Sequence, residues 1–136
     1  MNVTLLKMSF ELLRPKGQIL VDRFYAILFD RYPSVKPLFA HTAMPEQKGK
    51  LIQALAFVVA NLERPEALRD ALVAMGQRHR GYGVTDEQYE AVGECLLAAM
   101  EEVAGPAWTP ELRKSWTGAY GAVAHLMRSK PATATA

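Results

Sequence analysis

Leu68-Arg69-Asp70-Ala71-Leu72-Val73-Ala74-Met75-Gly76-Gln77-Arg78-His79-Arg80-Gly81 is the stretch on which the fold turns. Leu68, Leu72, Met75 and His79 follow one another at spacings of four, three and four, which puts them on one face of a helix. Gln77, Arg78 and Arg80 point elsewhere. Pro65 and Glu66 open the helix, where a missing N–H costs nothing and a carboxylate complements the dipole. Gly81 is expected to end it in a left-handed cap. The stripe is apolar except for its last member, an imidazole.

The same periodicity extends outward in both directions. Downstream, Gly81 and Gly83 leave a short connection before Thr85-Asp86-Glu87-Gln88, a capping box that starts a helix closed by Gly105-Pro106. Its stripe is Tyr89, Val92, Leu96, Met100 and Val103. Thr109-Pro110-Glu111 begins the last helix, which runs to about Ser129. Upstream, Pro45 suits the first turn of a helix reaching Leu62, with Gln47, Leu51, Ala54, Val58 and Leu62 along a face. Before it, a helix from Gln18 to Tyr32 aligns Val21, Tyr25, Leu28 and Tyr32 and stops at Pro33. The segment from Pro33 to Phe39 is too short and proline-rich for more than a tight turn. Thr4 is expected to cap a first helix that ends near Leu13, before Pro15-Lys16-Gly17. Alternating apolar and polar runs bounded by hairpin turns are missing, so strands are not expected. The reading is one all-α domain over residues 1–130, with a disordered tail at 131–136 that has nothing to bury.

Composition excludes several classes of function. The chain has 136 residues and a net charge of +2, and its 16 Lys and Arg are scattered, so neither nucleic acid nor an anionic membrane is an expected partner. The most apolar segment, from Leu51 to Ala60, is too short to span a bilayer and contains Gln53. The N-terminus lacks the basic and apolar runs of a signal peptide. A lone cysteine, Cys95, rules out an internal disulfide and suits a reducing compartment, so a cytoplasmic location is expected. No nucleophile elbow, P-loop, dinucleotide fingerprint, zincin helix or C-x-x-C is present. Glu101 and Glu102 are adjacent and point in different directions on their helix.

Polar residues set in apolar stripes are the informative ones. A neutral imidazole at His79 is a good ligand for haem iron, and the stripe of Leu68, Leu72 and Met75 would favour haem burial; the bland alternative is a histidine tucked into a core or helix end. Without a C-x-x-C-H run, any such haem is held non-covalently. Tyr25 must donate its hydroxyl proton to something if buried, a backbone carbonyl being the commoner answer. Gln47 sits one turn before Leu51, where an amide is costly unless it borders a cavity or meets water in the first turn. Tyr89 either approaches the His79 side or simply packs. Phe39, Cys95, Trp108 and Trp116 read as core or lid residues, and His41 and His125 as ordinary surface or partly buried histidines.

Together these residues resemble a known family. Phe24-Tyr25-Ala26-Ile27-Leu28-Phe29, Tyr32-Pro33 and Pro37-Leu38-Phe39 look like the second helix and following corner of bacterial haemoglobins. Glu46-Gln47 ahead of Lys50-Leu51 is similar to their distal helix. Arg78-His79, Gly83-Val84, Gln88-Tyr89, Val92-Gly93 and Cys95-Leu96-Leu97 resemble their proximal helix and its successor, and Trp116 with Ala119-Tyr120-Gly121 resembles their last helix. The resemblance runs from about Ile19 to Met127 and is specific to single-domain globins of the flavohaemoglobin type.

The resemblance implies a globin fold, a three-over-three helical sandwich around a b-type haem. It makes His79 the proximal iron ligand, turns Tyr25 and Gln47 toward the bound gas, and places Leu51 as the apolar distal residue. Phe39 stacks on the porphyrin, Leu72 and Met75 belong to the proximal wall, Val84 and Val92 line the haem edge and proximal side, and Tyr89 supports the histidine. The ligands implied are dioxygen, nitric oxide and carbon monoxide, in a monomer or weak homodimer. Reversible oxygen binding is the leading function; nitric oxide dioxygenation with an external reductase, because the sequence stops after the globin part, and a haem-free interaction module are the alternatives. One departure bears on the choice. The family's glutamate late in the last helix has no counterpart, since no Asp or Glu follows Glu111 and Pro131 falls near its place.

Overall fold

The proline and glycine punctuation translates into six α-helices among the described residues, which are 2–129 of a computed structural model. They are α1 (Val3–Leu13), α2 (Gly17–Arg31), α3 (Met44–Ala60), α4 (Pro65–Gly81), α5 (Asp86–Ala104) and α6 (Pro110–Arg128). Three short 3-10 segments, Arg14–Lys16, Pro33–Phe39 and Gly105–Ala107, make the corners. No strand occurs among the described residues. The tail expected to be disordered, and the position of Pro131, lie outside them.

Several boundaries differ from expectation for local reasons. Asn2, not Thr4, caps α1: its side-chain oxygen accepts the Leu5 amide at 3.0 Å, and Thr4 lies inside the first turn. Asn and Thr both suit a cap, and the one that stands outside the helix takes the role. Gly81 does not adopt a left-handed conformation. The last carbonyls of α4 are met by the amides of Tyr82, Gly83 and Val84, and the reversal falls on Gly83, whose φ is +88°. That conformation is open to glycine at little cost. At α5 the Gln88 side-chain oxygen accepts the Thr85 amide at 2.9 Å, and at α6 Thr109 Oγ1 accepts the Leu112 amide at 3.1 Å.

α2 packs against α5 and α4 against α6, α5 and α6 also meet, and α1 closes on α6, α5 and α3. The larger core gathers Leu6, Phe10 and Leu13 with Leu20, Phe24, Leu28, Met100 and Trp116. Its centre holds a polar chain: the Trp116 indole donates to Ser9 Oγ at 2.8 Å, and the Ser9 hydroxyl in turn donates to the Leu5 carbonyl at 2.8 Å. A smaller core unites Leu68 and Leu72 of α4 with Tyr89, Ala124 and Met127.

The crossing of α4 and α6 is what positions the histidine-bearing helix. Gly76 is buried, and a Cβ placed on it would overlap the Met127 backbone. The two backbones therefore touch, which only glycine permits here. Gly121, exposed on α6, has nothing within 4 Å of such a Cβ. Gly76→Ala should cost about 1–3 kcal/mol by overpacking, whereas Gly121→Ala should stabilise by about 0.5–1 kcal/mol through helix propensity. Urea unfolding of the two variants checks the contrast, and equal shifts would refute it.

Candidate functional site

Two walls assemble the residues singled out in the sequence. The first comes from α2, the Pro33–Phe39 corner and α3. Tyr25 is 5% exposed, its ring 4.8 Å from that of Phe24, 5.9 Å from Phe29 and 5.7 Å from Phe39. Phe29 and Phe39 meet edge-on at 5.4 Å. Such edge-to-face contacts hold a ring in one orientation and are worth about 0.5–1.5 kcal/mol each beyond area burial. The Tyr25 phenol is therefore aimed rather than free.

What it meets is Gln47. Burial pushes the Tyr25 hydroxyl up from its ordinary value of 10.0, and the Gln47 side chain, as a hydrogen-bond donor to the phenolate, pulls the other way. Lys48, next to Gln47, ties the start of α3 to α2: its Nζ lies 3.0 Å from Asp22 Oδ1. That pairing, helped by Gln18, holds the Asp22 carboxyl below its usual range. Gln47 is half-buried at the fourth position of α3, and Leu51 follows one turn later, packed on the larger core with Phe39 and Val92.

The second wall is α4 with the segment after it. His79 is half-buried, and its Nδ1 lies 2.8 Å from the Met75 carbonyl. A carbonyl only accepts, so Nδ1 carries the proton and Nε2 presents its lone pair. Met75 and Val84 pack with Leu72 and Tyr89 in the smaller core. The Tyr89 ring centroid is 6.5 Å from that of His79 at 31°, and the Tyr82 ring is 6.2 Å away. Val92 packs on the larger core.

Two contacts went unread in the sequence. The Tyr120 hydroxyl donates to the Tyr89 carbonyl at 2.5 Å. Its ring lies over Gly93, where a Cβ would come within 2.5 Å of it. A glycine inside α5 was the available signal of that close approach. His41 and His125 are exposed, and Cys95 and Trp116 are core, as expected. Trp108 is half-buried, with an indole N–H that has no partner among the described residues. A surface groove of about 690 Å³ between α2 and α5 contains none of the candidate residues and is lined by the Arg23–Glu102 ion pair.

The donor set limits what could bind. Among the described residues no three His, Cys, Asp or Glu side chains gather to hold a bare metal ion. One free Nε2 suits a metal that arrives with its other ligands already supplied by an organic macrocycle. The apolar side chains of Phe39, Leu51, Met75 and Val84 suit the faces of such a group. The residues present fit it. No helix among the described residues is long and apolar enough to cross a membrane.

The family model described as Globin matches residues 22–127. A flavohemoprotein of Rhizobium meliloti (strain 1021) is 36% identical over 125 residues, which are 90% of this chain and 31% of that protein. The chain thus spans about a third of the length of the flavohemoproteins it matches. An uncharacterized globin-like protein of Aquifex aeolicus (strain VF5) is 36% identical, with 93% of this chain and 88% of that protein covered. Among solved structures, a bacterial globin from Campylobacter jejuni superposes with a TM-score of 0.81 at 31% identity, covering 92% of this chain and 90% of that one. A Rhodothermus marinus protein, assigned as a nitric oxide dioxygenase and engineered as a carbene transferase, gives 0.85 at 32% identity, with 98% and 92% covered.

The buried phenols set the alkaline limit of the fold. Burial raises the hydroxyls of Tyr25, Tyr89 and Tyr120 above 10.0. A group raised on folding gives stability that is intact below the unfolded value and lost as pH climbs past it. Urea unfolding should show constant stability from these groups up to about pH 9 and a fall above pH 10. Tyr25→Phe should make that fall shallower, and an unchanged slope would refute the assignment.

Proposed function

The chain belongs to the globin family, and on that premise we propose that it holds haem b non-covalently and binds dioxygen reversibly, for storage, delivery or scavenging. The observation that carries the reading is His79, whose Nδ1 is committed to the Met75 carbonyl so that Nε2 is free to ligate iron. A bound haem would supply an iron with an open position for a diatomic gas. On one side of it Leu72, Met75 and Val84 back the imidazole, with Tyr89 in support. On the other, Phe39 and Leu51 would give apolar surface that keeps water out, with Val92 at the haem edge. Tyr25 and Gln47 are the polar groups of that side.

Their role follows from charge. A bound haem would leave partial negative charge on a dioxygen ligand, and the Tyr25 O–H and Gln47 N–H are the donors that would meet it. The aromatic cage fixes the Tyr25 ring in advance, so little ordering of that donor would be left to do on binding. A hydrogen bond to a charged acceptor contributes about 1.5–3 kcal/mol, which is roughly ten- to more than a hundred-fold in release rate. Carbon monoxide, less polarised, gains much less.

The proximal side supports binding over activation. The partner of Nδ1 is a neutral carbonyl, that of Met75. An imidazole bonded to a carbonyl has less imidazolate character than one bonded to a carboxylate and pushes less electron density toward the gas. Nitric oxide dioxygenation is the second reading, favoured by the flavohemoprotein and Rhodothermus marinus likenesses. It would turn nitric oxide and dioxygen into nitrate, with one electron per turnover returned by a reductase. A reducing cytoplasm suits both readings, since Cys95 is a buried free thiol.

Tyr25→Phe should speed dioxygen release by about ten- to a hundred-fold and carbon monoxide release far less. Flash photolysis and stopped-flow mixing measure both, and equal effects on the two gases would remove Tyr25 from this role. His79→Ala should abolish the Soret band of the reconstituted protein, and a variant with unchanged colour and gas kinetics would overturn the whole reading.

A further inference from the structure

We propose that Arg80 is a positioning residue for His79, strapping the end of α4 to the last turn of α6; the role rests on the reading of His79 as a haem ligand. Arg80 is exposed, and it follows the histidine directly. Its Nη2 donates to the Arg128 carbonyl at 2.6 Å and lies 3.4 Å from the Ser129 carbonyl. These oxygens stand at the C-terminus of α6, where a helix leaves carbonyls without internal partners and carries partial negative charge. A guanidinium from a neighbouring helix meets both needs at once.

The strap completes a two-point attachment. Three residues before His79, Gly76 lies against the Met127 backbone. One residue after it, Arg80 reaches the carbonyls of the next two residues of the same strand of chain. Between these anchors the imidazole has one hydrogen bond, to Met75 of its own helix. That bond orients the ring relative to α4 but leaves the orientation of α4 itself to the anchors. Arg128 adds a third tie, its own guanidinium pairing with Asp86 Oδ2 at 3.2 Å and so linking α6 to the start of α5. Arg80 uses the backbone of Arg128 and not its side chain, so the two ties are separable by mutation.

The test compares Arg80→Met, which keeps the aliphatic stem and removes every donor, with Arg80→Lys, which retains a charge and donors. Resonance Raman spectroscopy of the reduced, gas-free protein reports the iron–histidine stretch, and transfer of haem to an excess of apomyoglobin reports its loss. Arg80→Met should shift or broaden the stretch and speed haem loss about tenfold, and Arg80→Lys should recover most of both. Arg128→Met, which spares the accepting carbonyl, should leave the stretch in place. An Arg80→Met protein with a wild-type stretch and haem loss within twofold of wild type overturns the proposal while leaving haem binding intact. Wild-type protein that takes up haem without an iron–histidine stretch would instead sink the ligand assignment. Amide exchange in the haem-free chain keeps the strap testable in that event: the last turn of α4 should exchange about tenfold faster in Arg80→Met, and unchanged exchange would overturn the strap itself.

Discussion

The backbone contact between Gly76 of α4 and Met127 of α6 is the constraint from which the site follows. A side chain at position 76 would push the helices apart and carry His79 with it. With the helices touching, Leu68 and Leu72 seat against Ala124 and Met127, and the far end of α4 comes within reach of the last turn of α6. The imidazole is thus located by packing several residues away, and its own hydrogen bond only sets its rotation. Small displacements of a packed helix are costly because interiors have little free volume to absorb them.

The other candidate polar residues are held by different means. Tyr25 is set by three aromatic neighbours. Gln47 stands beside Lys48, whose ion pair with Asp22 ties the start of α3 to α2. Lys48 and Asp22 are not deeply buried, so their attraction is modest.

Much of this was legible in the spacing of apolar residues and the placement of proline. The Leu68, Leu72, Met75, His79 stripe and the helix starts at Pro65 and Pro110 depend only on local chemistry, and they appear where the periodicity puts them. What failed was of two kinds. Neighbouring residues with the same talent, Asn2 and Thr4 for a cap or Gly81 and Gly83 for a reversal, are separated only by the register in which the helix actually forms. A contact between distant elements, such as that of Tyr120 with the Tyr89 carbonyl, has no local signature beyond a lone helical glycine at Gly93.

The bond from Trp116 to Ser9 joins residues 107 positions apart. A chain leaving the ribosome therefore makes its first helix long before the indole that will seal Leu6 and Phe10 exists. The entropy of closing so long a loop grows only logarithmically with its length, so the penalty is one of timing more than of free energy. During vectorial synthesis the early segments must remain soluble with their greasy faces uncovered, an interval in which holdase chaperones have something to grip.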